Sequence, residues 1–143
     1  MSKLTLKQKN YKVLMTLLFW IFLTVGVLLY IVPNQLIGIF NIISDKIGYF
    51  QSLPPNLEKF YLDLGVAYMA CVTAIAYMIR RDVVKNINLT PILIVGKTTS
   101  SLISLVSFLL YQKALLYIFN FVIDGGIVLI VLFFYLPVKR ELY

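Results

Sequence analysis

Residues 114–136 read ALLYIFNFVIDGGIVLIVLFFYL, an almost unbroken apolar run with a single charge at Asp124. A helix crossing about 30 Å of hydrocarbon needs about 20 mostly apolar residues, and this run meets that length. Working back along the chain, three more runs do so: about Val13 to Val32, Phe60 to Ile79, and Pro91 to Tyr111. Pro33, Pro91 and Pro137 sit at or near the ends of these runs, where a proline starts or stops a helix without breaking its interior. The expected fold is an all-α membrane protein, a four-transmembrane-helix antiparallel bundle forming one domain over residues 1–143.

Composition agrees. The chain is 61% hydrophobic and only 13% charged, with a mean hydropathy of +0.91, too few polar residues to cover a soluble domain of this size. The net charge of +7 does not point to nucleic acid, because most of the Lys and Arg residues flank the apolar runs. There they act as topology determinants and meet lipid head groups. Cys71 is the only cysteine and there is no histidine. These two facts remove an internal disulfide, His-ligated haem, the commonest zinc and copper sites, and the usual general base near neutral pH.

The first run has a basic start, as a secretory signal does. Its apolar stretch is longer than a signal core, and no small-x-small cleavage site follows, so a retained span is expected. Counting cations orients the chain. Lys3, Lys7, Lys9 and Lys12, then Arg80, Arg81 and Lys85, then Lys139 and Arg140 fall on one side. Lys46, Lys59 and Lys113 fall on the other. Nine against three places both termini in the cytoplasm of a cell-membrane protein. The long connection 34–57 then faces outward. Its segment Gln35–Ile43 is too short to span and too apolar for a solvated loop, and is expected to form a short interfacial helix between spans 1 and 2. Ser52 to Asn56 should form a stiff corner, with Asn56 capping the next helix.

Charge inside hydrocarbon costs roughly 2.5–3.5 kcal/mol on insertion scales, so Asp63, Lys97 and Asp124 each need a reason. Asp124 is about 15–18 Å from either face of its span, too deep to reach water. Spans 3 and 4 are joined by a very short connection and must be neighbours, so a Lys97–Asp124 ion pair is expected. On span 3, Lys97, Ser100, Ser101, Ser104 and Ser107 recur at steps of three and four as one polar strip. Asn120 lies one turn from Asp124 on span 4. Asp63, Ala67, Ala70 and Ala74 on span 2, and Thr16, Trp20 and Thr24 on span 1, make the smaller or more polar faces expected to turn inward. The candidate intramembrane polar site is therefore Lys97, Asp124, Asn120, Ser100, Ser101, Ser104 and Asp63, of which Asp63 reads as an interfacial carboxylate. Gly96-Lys97-Thr98 is not a phosphate loop, since Pro91 stands where the loop's first glycine is needed.

Pro33 after span 1, Gly65 early in span 2 and Arg81-Asp82 closing it, Gly96-Lys97 with Ser100-Ser101, and Asp124-Gly125 together resemble the DoxX-like group of small four-span membrane proteins. The resemblance implies a compact four-helix bundle. Some members of that group are described as subunits of quinone-linked oxidoreductases, and no catalytic residue carries over. The residues themselves favour a non-enzymatic bundle, accessory or stand-alone, with no catalytic, metal or cofactor set. Its expected partners are the lipid bilayer and either other membrane subunits or a second copy, with no nucleic acid. Two alternatives stand: a proton-coupled or small-solute transporter acting as an oligomer, and a lipid- or quinone-binding membrane protein.

Overall fold

The computed structural model describes residues 4–54 and 59–142, with side chains in the third helix described from Leu62 onward. The described residues form helices α1 (Leu6–Ile31), α2 (Pro33–Ile47), α3 (Lys59–Arg81), α4 (Val83–Asn86), α5 (Thr90–Leu110) and α6 (Leu115–Leu142), with a 3-10 turn at Ile87–Leu89 and no strand. Four stretches among them are helical, long and apolar enough to cross a membrane: Leu6–Ile31, Leu62–Arg81, Val83–Leu110 and Leu115–Leu142.

Local chemistry sets where these helices begin and end. α1 starts well before Val13 because Thr5 and Gln8 form a capping box. The Gln8 N–H donates to Thr5 Oγ1 at 3.3 Å and the Thr5 N–H to Gln8 Oε1 at 3.1 Å. Pro33 opens α2, which runs past the expected Ile43 until Gly48. Gly48 has φ +72°, a left-handed conformation that costs glycine nothing, and its N–H closes the helix on the Ser44 carbonyl. Pro91 lies in the first turn of α5 as expected. Pro137 differs. α6 continues through it to Leu142, so one backbone bond is forgone while buried Tyr135 and Val138 hold the last turns in place. The expected cap at Asn56 lies outside the described residues.

Packing places α1 against α3 and α5 against α6, with further contacts of α6 to α1 and of α5 to α3. The inward strip of α1 is Gln8, Tyr11, Met15, Leu18 and Phe22, at steps of three and four. It meets Met69, Val72, Ala76 and Ile79 of α3 and Val131 and Val138 of α6. The expected inward faces of these two helices were different ones. Trp20, Thr24, Asp63, Ala67, Ala70 and Ala74 are all exposed and Thr16 is only half-buried. The Thr16 hydroxyl donates to the Lys12 carbonyl one turn back at 2.8 Å, so it has no need of an interior partner.

Contacts between the ends tie the helices together. Lys7 Nζ pairs with Glu141 at 2.9 Å and Thr5 Oγ1 donates to the same carboxylate, joining the start of α1 to the end of α6. Tyr11 Oη and Thr90 Oγ1 share a fully buried hydrogen bond of 2.7 Å. Elsewhere, Asn41 holds both backbone groups of Leu53, and the Gln51 N–H donates to the Lys113 carbonyl, so the segment after α2 is sewn to the α5–α6 connection.

Candidate functional site

The α5–α6 interface is where the sequence places its polar residues, and the structure unites them. Lys97 Nζ donates to Asp124 Oδ1 at 2.9 Å, and each side chain is only 5% exposed. One turn further along α5, Ser101 Oγ donates to the Phe121 carbonyl at 2.9 Å. Asn120 Nδ2 donates to Ser104 Oγ at 2.7 Å and lies 3.3 Å from Ser100 Oγ. Partner numbers on α6 fall as those on α5 rise, so a single ladder of polar contacts runs down the pair. The close approach depends on Gly125, where a Cβ would lie 3.2 Å from Ser101 Oγ.

Two elements outside that pair complete the surroundings of Lys97. Its ammonium lies 4.6 Å from the ring centroid of Phe22 on α1 and 5.4 Å from that of Tyr68 on α3. The negative faces of aromatic rings are favourable neighbours for a desolvated cation. Lys97 therefore sits where all four long helices converge, held by one carboxylate and two rings.

Tyr68 is the residue that sequence reading missed. Its ring packs within 3.5 Å of the position a Cβ on Gly96 would take. Its buried hydroxyl is the one buried side-chain polar atom left without a hydrogen-bond partner among the described residues. The Ser100 hydroxyl approaches it without completing a bond. A signal was present, since a tyrosine hydroxyl at the middle of an apolar run needs a partner as much as a charge does.

These groups surround space. A cavity of about 260 Å³ lies between α1, α3, α5 and α6, walled by Phe22, Gly65, Tyr68, Lys97, Ser100 and Asp124, with Asn120 beside them and Met69, Phe119 and aliphatic side chains over the remainder. The ion pair thus touches itself and also borders a cavity. Of the seven candidate residues, six gather along the α5–α6 interface, and Asp63 does not join them, being exposed on α3. Among the described residues no three His, Cys, Asp or Glu side chains come together.

Comparison with family models, with curated proteins and with solved structures finds no match to this chain. The functional reading therefore rests on the geometry above.

Proposed function

We propose that this chain is a small multi-pass protein of the cell membrane that binds, without transforming, a neutral amphiphile in the cavity between its four long helices. In this reading the four long helices form an antiparallel bundle, both ends lie in the cytoplasm, and α2 lies along the outer interface. The nine-to-three division of cations supports the orientation. The apolar outward residues of α2, Ile39, Ile42 and Ile43, suit a helix resting on lipid. The DoxX-like resemblance of the sequence would imply the same bundle and an accessory role beside larger membrane subunits.

The observation that carries the binding reading is a cavity whose wall holds the Lys97–Asp124 pair and Tyr68, with the Tyr68 hydroxyl buried just behind that wall and unpartnered among the described residues. An unsatisfied buried hydroxyl costs about 1–3 kcal/mol, so a ligand oxygen that draws the Tyr68 ring toward the cavity and accepts from its hydroxyl would recover that cost. The ion pair is already neutral as a unit, so an anionic head group would leave a net charge in hydrocarbon, whereas a neutral acceptor would not. The rest of the wall is aliphatic or aromatic, which suits an apolar body. The ligand class is therefore an apolar molecule bearing a neutral oxygen acceptor, such as a ketone, ester or ether.

A 4-alkylbenzophenone has this chemistry and crosslinks to neighbouring C–H bonds on illumination. Added to the purified full chain, it should label the segments of α3, α5 and α6 that wall the cavity. Tyr68→Phe removes only the hydroxyl and should lower that labelling about two- to tenfold, the worth of one hydrogen bond of about 0.5–1.5 kcal/mol. Labelling spread over the outward-facing surface and unchanged by Tyr68→Phe would overturn the reading.

A further inference from the structure

A second site lies outside the bundle interior and is independent of any ligand there. Between α1 and α3 runs an apolar groove of about 460 Å³. Its floor is where α1 and α3 approach closely, since a Cβ on Gly26 would lie 3.1 Å from Met69 Cβ, and the small side chains of Ala70 and Ala74 line the α3 wall. On α1 the groove extends from Phe19 to Ile31, about 18 Å along the axis. That length is close to the hydrocarbon depth of one leaflet, about 15 Å.

The Phe19 end of this groove is flanked by the Arg80 cation. The Arg80 guanidinium stacks 3.9 Å above the Phe19 ring and 5.0 Å from that of Tyr77, both groove residues. Beyond it, a depression of about 410 Å³ is walled by Lys12, Arg81 and Lys85 together with Asp82. Lys12 precedes Phe19 by two helical turns, about 10 Å, and continues the strip of α1 that carries Phe19 and Gly26. Asp82 is the only acid in the depression, and its Oδ1 is engaged as the cap of α4, accepting from the Lys85 N–H at 3.1 Å. None of Lys12, Arg80, Arg81 and Lys85 enters an ion pair among the described residues.

A net positive depression about two helical turns beyond an apolar groove one leaflet deep, with the Arg80 guanidinium between them, has the spacing of a phospholipid head group and acyl chain. We infer that the chain binds one anionic glycerophospholipid here, with the phosphate among Lys12, Arg81 and Lys85 and one acyl chain in the α1–α3 groove. Arginine forks and lysine ammoniums are the side chains that bind phosphate oxygens best. A bilayer lipid, unlike free phosphate, also supplies the chain that fills the groove. The inference requires α1 and α3 to cross the bilayer, and it holds whether or not the interior cavity takes a ligand.

Native mass spectrometry of the full chain in neutral detergent, with phosphatidylglycerol and phosphatidylcholine of matched chains, tests it. One phosphatidylglycerol should be retained at roughly tenfold lower concentration than phosphatidylcholine, with the preference shrinking as salt rises. Lys12→Gln with Arg81→Gln and Lys85→Gln should weaken retention about a hundredfold, at roughly 1 kcal/mol per cation near the surface. Ala70→Leu with Ala74→Leu fills the groove, leaves every charge in place, and should weaken it about tenfold. Circular dichroism confirms that each variant is helical. Equal retention of the two lipids by the unsubstituted chain overturns the inference without recourse to any variant. So does wild-type retention by the groove-filled variant, which would reduce the effect to diffuse charge.

Discussion

The Lys97–Asp124 pair is the most consequential contact in the molecule, and its removal has a magnitude that can be worked from the geometry. At 2.9 Å and an effective dielectric of about 20, the attraction is about 6 kcal/mol. Burial offsets it, because each ion, 5% exposed, forgoes several kcal/mol of hydration. The pair is therefore close to neutral in net stability, while either ion alone is not. Asp124→Leu leaves Lys97 facing only two aromatic rings and should destabilise the fold by about 3–5 kcal/mol. Lys97→Met, which keeps the length of the stem, leaves the carboxylate unpaired and should cost about as much. The double variant Lys97→Met with Asp124→Leu removes both charges into a site with a neighbouring cavity of about 260 Å³ to relax into, and should lie within about 2 kcal/mol of the parent. Reversible unfolding in mixed detergent micelles, followed by circular dichroism, gives all four stabilities and hence a coupling energy. The expected coupling is at least about 2 kcal/mol, a floor set low because the unfolded chain in a micelle also finds polar partners. Additive single effects, with coupling below about 0.5 kcal/mol, would refute the claim that the two charges are tolerated only because of each other.

Three further outcomes follow from neighbouring contacts. Gly125→Val should cost about 1–3 kcal/mol in the same titration, since its Cβ would lie 3.2 Å from Ser101 Oγ and overpacking is destabilising. Gly126→Ala meets nothing within 4 Å and should be neutral or stabilise by up to about 1 kcal/mol through helix propensity. Tyr11→Phe strands the buried Thr90 hydroxyl at a cost of about 1–3 kcal/mol, and adding Thr90→Val should recover most of it. For topology, Arg140→Cys and Lys46→Cys in a Cys71→Ser background should react with a membrane-impermeant thiol reagent from opposite sides of sealed vesicles. Labelling of both from one side would overturn the orientation.

The chain legibly announces its four long helices, because in a chain with mean hydropathy +0.91 apolar length alone determines what can cross a bilayer. It also announces the Lys97–Asp124 contact. Two charges too costly to bury singly, on helices joined by a short connection, leave few alternatives, and the Ser100, Ser101, Ser104 strip followed with them. The inward faces of α1 and α3 were not legible. Lipid is as apolar as the bundle interior, so polarity does not tell a helix which side to turn inward, and hydroxyls such as Thr16 and Thr73 satisfy themselves on their own backbones. Shape complementarity settles the matter instead, placing Tyr11, Met15 and Phe22 at the centre and leaving Trp20, Ala70 and Ala74 outside. The cavity and the unpartnered Tyr68 hydroxyl belong to this second category. Each arises only when three or four helices meet at particular angles, and no spacing along one helix encodes that. Hydropathy and charge cost thus determined the spans and the Lys97–Asp124 pair deep within them, whereas packing alone decided that the pair borders an open cavity.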